Sequence, residues 1–84
     1  MSVSEPLNMI KLCLDEKVYV KLRGAREIVG KLHAYDNHCN LVLGDAVETI
    51  STVDENNELK TQTKDRPMVY LRGDSVILVA NASQ

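Results

Sequence analysis

The chain has 84 residues, enough for one small domain and too few for a second core or a separate catalytic lobe. Hydrophobic residues make up 44% and charged residues 26%, a globular balance that excludes wholesale disorder, and with three Tyr but no Phe or Trp the core has to be aliphatic. Ten Lys and Arg against twelve Asp and Glu give a formal net charge of -2, so the overall basic charge of a free-standing nucleic-acid binder is absent and any such contact must be local or shared among subunits.

Residues 5–14 read as a short helix. Ser4 suits the cap, Glu5 the first turn and Pro6 an early helical position, while Leu7, Ile10 and Leu14, with Met9 and Cys13 beside them, form an apolar stripe. From Lys17 the period changes to two: Val18, Val20 and Leu22 alternate with Tyr19, Lys21 and Arg23, and the strand ends at Gly24-Ala25. A second strand runs from about Glu27 to Tyr35, with Gly30 as a point of bending. Asp36-Asn37-His38-Cys39-Asn40 is a polar turn, and a third strand follows from Leu41 to about Val53, curving at Gly44. Asp54 to Arg66 is expected as a polar loop, a mobile hairpin end with Asn56-Asn57 at its tip. Pro67 then opens a strand over Met68–Arg72, Gly73-Asp74 turns tightly, and Ser75–Ala80 closes the fold, its Val-Ile-Leu-Val run reading as buried on both faces. On pattern alone, Met68–Ala80 is a two-stranded hairpin.

The fold class is therefore mainly β, a short N-terminal helix followed by a strongly bent five-stranded antiparallel sheet forming a small open barrel. No run of about 20 apolar residues suits a membrane span, and no basic then apolar leader precedes the first element. Cys13 and Cys39 are expected to be reduced thiols of an intracellular protein. A domain of this size gains little from its own core, so packing against other chains is expected to add to it.

Metal and catalytic chemistry find weak support. His33, His38 and Cys39 lie near one another, but no paired C-x-x-C or H-x-x-x-H spacing exists. The two His residues and the carboxylates lack a marked nucleophile or a phosphate-cradling glycine loop. No metal, cofactor or enzymatic activity is expected. Arg72-Gly73-Asp74 also matches a tripeptide that some cell-surface receptors read, but a Gly-Asp turn between apolar strands has its own structural reason. A third constellation is more specific: Asp36, His38 and Asn40 on one turn, and Arg72, Gly73 and Asp74 on another. They offer a ring to stack on a base, an amide to pair with its edge and a guanidinium to cover its other face. On spacing alone, two polar turns remain the commoner explanation.

The residues themselves resemble the Sm and Sm-like proteins. Residues 18–49 are similar to the first Sm motif, with Gly30, Leu32, Asp36, Asn40 and Leu43 in order, and residues 67–80, with Leu71-Arg72-Gly73-Asp74, to the second. Leu14-Asp15-Glu16, His33-Ala34-Tyr35-Asp36 and the Arg-Gly-Asp strand end are most similar to the third-subunit type of the eukaryotic Sm-like heteroheptamers. The resemblance implies one Sm domain over residues 1–84, in a seven-membered ring of Sm-like subunits (or a homomeric ring when isolated). There the fourth strand pairs with a neighbour's fifth, and the Met68–Ala80 turn is a corner rather than a hairpin.

It further implies that His38 and Arg72 sandwich a base, Asn40 pairs with its edge, Asp36 holds Asn40, and Gly73 and Asp74 offer close backbone approach. The implied ligand is uridine-rich single-stranded RNA. The implied settings are U6 small nuclear RNA in nuclear pre-mRNA splicing and, with decapping and decay factors, cytoplasmic mRNA turnover. A purely structural ring subunit with little RNA contact is the alternative. Cys39 stands where family members commonly carry methionine, and His38 where many have a larger aromatic.

Overall fold

The computed structural model describes residues 10–82. The helix expected over 5–14 falls partly outside them, with Ser4, Glu5, Pro6, Leu7 and Met9. Residues 10–12 are helical, and Ile10 and Cys13 are buried. Leu14 departs from the expected stripe: it is partly exposed, because the helix ends and Asp15 takes a left-handed φ of 65°. The Asp15 N–H then donates to the Leu32 carbonyl at 2.8 Å, which turns the chain into the sheet.

Five strands follow: β1 (Lys17–Leu22), β2 (Arg26–Tyr35), β3 (Leu41–Val53), β4 (Leu59–Leu71) and β5 (Val76–Asn81). They form one antiparallel sheet in the order β4-β3-β2-β1-β5. Period-two alternation turns Val18, Val20 and Leu22 inward, where they meet Ile28 and Leu32 of β2, Leu41, Leu43 and Ala46 of β3, Leu71 and Val79. Ile10 and Cys13 join this aliphatic core, and Tyr35 packs at its margin. Each fully buried Leu or Ile contributes about 1.5–3 kcal/mol of apolar burial, so one sheet face supplies most of the cohesion.

The bend has identifiable causes. A Cβ on Gly30 would press on the Ala46 Cβ and on the Gly44 carbonyl, so only glycine lets β2 and β3 approach this closely. The β2–β3 register slips between Val29 and Lys31 and again between Leu32 and Ala34. In β3 the inward residues change from Leu41 and Leu43 to Ala46 and Glu48 across Asp45, whose φ is 47°.

The expected polar loop over 54–66 is much shorter. Only residues 54–58 connect β3 and β4, with Asn56 and Asn57 at the tip, and residues 59–66 continue β4 in unbroken register with β3. Pro67 therefore lies inside β4 instead of opening a strand; β4 is an edge strand, where a residue lacking an N–H is tolerated.

The Met68–Ala80 hairpin is also corrected, since β4 and β5 lie on opposite edges of the sheet, joined by a 3-10 turn at Gly73–Ser75. The β5 run is not buried on both faces: Ile77 is 58% and Leu78 50% exposed, because an edge strand has no neighbour beyond it and β5 bulges there against β1.

Glu48 is the one buried charged residue among those described. Arg26 of β2 and Arg66 of β4 both reach it, Arg26 through Nε and Nη2 to Oε2, and Arg66 Nε to Oε1 at 3.1 Å. Burial works to raise the Glu48 carboxyl, but the two guanidinium groups outweigh it and hold the group below the ordinary glutamate range.

Candidate nucleic-acid interface

The β2–β3 turn is organised by one carboxylate. Asp36 Oδ1 accepts the backbone N–H groups of His38 at 2.8 Å and Asn40 at 3.1 Å, an arrangement that favours a short acidic side chain. Cys39 sits in the left-handed region with φ 61°. Asp36 Oδ2 accepts the Asn40 Nδ2 amide at 2.8 Å. These bonds, the Asn40 side chain first and the His38 N–H next, lower the Asp36 carboxyl from its ordinary value.

The β4–β5 turn meets this loop through Gly73. Its N–H donates to Asn40 Oδ1 at 2.7 Å, and a Cβ at this position would overlap the His38 carbonyl oxygen. Asn40 is thereby oriented from both ends, with Nδ2 toward a carboxylate and Oδ1 toward an N–H. A flipped amide would set donor against donor at Gly73 and acceptor against acceptor at Asp36. The second Nδ2 hydrogen and the second Oδ1 lone pair remain for a ligand.

Above the amide lies an open cleft of about 620 Å³ lined by His38, Asn40, Tyr70, Arg72, Gly73 and Asp74. Five of the six residues expected at the site line this cleft, and Asp36 supports it through Asn40. Arg72 Nη2 rests on Asp74 Oδ2 at 3.0 Å, a solvent-exposed pair that holds the guanidinium at the rim with little energy. Arg23 Nε donates to the Asp74 carbonyl at 3.0 Å and ties the turn to the end of β1.

Tyr70 is the lining residue that pattern reasoning missed. It precedes Arg72, the extended residue just after β4, by two, and the same alternation brings both to the cleft; that spacing was the available signal. His33 takes no part, its imidazole lying against Gly44 on β3. Among the described residues, no group of three or more His, Cys, Asp and Glu is placed to hold a metal ion.

Comparison with known proteins gives a consistent picture. The LSM domain model matches residues 8–81. The LSM complex subunit lsm3 of Schizosaccharomyces pombe is 54% identical, with 94% of this chain and 90% of that protein covered. The probable U6 snRNA-associated Sm-like protein LSm3 of Dictyostelium discoideum is 44% identical over 94% of this chain and 87% of its own. Among solved structures, the Pyrococcus abyssii Sm protein in complex with a uridine heptamer superposes with a TM-score of 0.73 at 32% identity, covering 94% of this chain and all of that one. A heptameric archaeal Sm protein superposes with a TM-score of 0.70 at 28% identity, covering 89% and 97%.

Proposed function

The chain belongs to the LSM domain family, and from that premise we propose that it is a non-enzymatic RNA-binding scaffold subunit of Sm-like rings. The observation that carries this reading is the Asn40 amide, fixed between Asp36 and Gly73 at the floor of a cleft whose rim bears His38 and Arg72. A base entering the cleft stacks on the imidazole, is covered by the guanidinium, and meets one donor and one acceptor in fixed order. Uracil presents N3–H and O4 in the complementary order, and cytosine reverses it. Each base–aromatic stack contributes about 1–3 kcal/mol, so one pocket binds weakly and several on one strand bind tightly.

Ring assembly is supported by the two sheet edges. Met68 and Tyr70 on β4 are 62% and 61% exposed, and Ile77 and Leu78 on β5 are exposed on the opposite edge. Pairing β4 of one subunit with β5 of the next covers both, and closure into a ring leaves no such edge open. The archaeal relative in the heptameric structure and the one in complex with a uridine heptamer support this architecture and ligand class. By the same reasoning, the ring acts on uridine-rich 3′ ends in two settings. One is splicing, through U6 small nuclear RNA, the RNA that the Dictyostelium relative's name carries; the other is cytoplasmic mRNA decapping and decay.

The test is oligo-U binding by the assembled ring carrying Asn40→Ala or Arg72→Ala in this subunit. A loss of affinity with the ring intact is expected. Unchanged affinity identifies the subunit as a purely structural member.

A further inference from the structure

The β3–β4 hairpin projects as an arm. Strand β4 has 13 residues, but β5, the strand that would cover it in a ring, has only 6. Pro67, which has no N–H, stands between Met68–Leu71 and the arm and is a natural stopping point for a strand laid along the C-terminal part. The ring reading thus leaves the outer edge over residues 59–66 uncovered. Its backbone directions are fixed: Asp54 N–H donates to the Glu58 carbonyl across the hairpin, whereas Ser51 N–H donates to Ala25 on the β2 side. With the β3–β4 register unbroken and alternate residues bonding opposite ways, Lys60, Gln62 and Lys64 bond to β3. Leu59, Thr61, Thr63 and Asp65 aim their N–H and C=O groups outward.

We propose that this outer edge of β4, residues 59–65, takes up an extended acidic peptide segment of a partner protein as an added strand. Lys60 and Lys64 flank Gln62 on one face, and among the described residues Lys64 makes no ion pair, while Lys60 lies 3.6 Å from Asp54. A partner strand meets these ammonium groups with carboxylates at alternate positions. Its other face meets Leu59, Thr61 and Thr63 with β-branched residues, and exposed Val53 beside Leu59 supplies an apolar end contact. A second copy of the arm fits poorly: antiparallel self-pairing over the whole edge is centred on Gln62 and sets Lys60 against Lys64 at both ends.

The proposal rests on the ring reading, so the test uses the assembled ring and records its mass and oligo-U affinity in the same samples. The probe is a peptide of about seven residues alternating valine and glutamate, compared with one alternating valine and lysine. Hydrogen exchange is expected to slow at least about tenfold at the Thr61, Thr63 and Asp65 amides with the glutamate peptide, while Gln62 and Lys64, already bonded to β3, change little. Thr63→Pro removes an outward N–H and one side-chain contact of the added strand but no bond to β3, keeps the arm as Pro67 keeps β4, and should weaken the peptide about tenfold. Lys64→Glu should abolish the preference for the glutamate peptide.

Absence of protection on an intact ring overturns the proposal and leaves the ring standing. Equal binding of the lysine peptide, or protection of the same amides by ring–ring association without peptide, also overturns it. Loss of the ring mass or of oligo-U binding in the unmodified protein refutes the underlying reading instead.

Discussion

The side-chain oxygen of Asn40 accepts the backbone N–H of Gly73 at 2.7 Å across 33 positions of sequence. Neither loop makes the cleft alone. The β2–β3 turn supplies the amide and imidazole, the β4–β5 turn supplies the guanidinium, and this bond locks them together.

Two glycine substitutions separate that lock from simple crowding. Gly73→Ala drives a methyl group into the His38 backbone carbonyl, which cannot move without breaking the Asp36-centred turn. We expect a loss of about 2 kcal/mol in denaturant unfolding and a marked loss of oligo-U affinity. Gly44→Ala meets only the far end of the His33 imidazole, which can swing aside. Its cost should stay within about 0.5 kcal/mol with RNA binding unchanged.

Asp36→Ala removes the acceptor that orients Asn40 Nδ2 and leaves Gly73 as the remaining anchor. The preference for poly-U over poly-C should fall more than overall affinity does. Equal losses on both polymers would contradict the role assigned to Asp36.

The Glu48 carboxylate clasps Arg26 and Arg66 where the β3–β4 arm leaves the barrel. Glu48 is 2% exposed, whereas the arginine side chains are 41% and 43% exposed and stay hydrated if released. Glu48→Gln should therefore cost about 2 kcal/mol at neutral pH, short of the full penalty for stranding a buried charge. Because the folded state lowers this carboxyl below 4.5, its contribution is fully present above that pH and is lost as pH falls through the lower folded value. Urea unfolding of both proteins across acid pH should show their difference shrinking only below 4.5. A difference that is the same at every pH would contradict the ion-pair account. Asp36 follows the same sign, so the Asn40 amide should stay ordered down to the ordinary aspartate value of 3.8 and loosen at lower pH.

Much of this was legible in the residues. The alternation of Val18, Val20 and Leu22 marks a one-sided strand, and Gly30 marks the bend. The arm was not legible, because Lys60-Thr61-Gln62-Thr63-Lys64 is exposed on both faces and carries no apolar alternation; its strand state comes from the ladder with β3. β5 misled in the opposite direction, since an apolar run looks alike in a buried strand and in an edge that awaits a neighbour. Five of the cleft's lining residues, with Asp36 behind them, stand out as turn chemistry in two Sm-like motifs, whereas Tyr70 does not. The Asn40–Gly73 bond and the Glu48 clasp are tertiary and leave no local trace.

Edge-to-edge assembly is tested most directly by the native mass of the protein purified together with its Sm-like relatives. A closed seven-membered ring containing this subunit is predicted, retained when oligo-U is added. A chain that stays monomeric in the presence of those relatives would contradict the account.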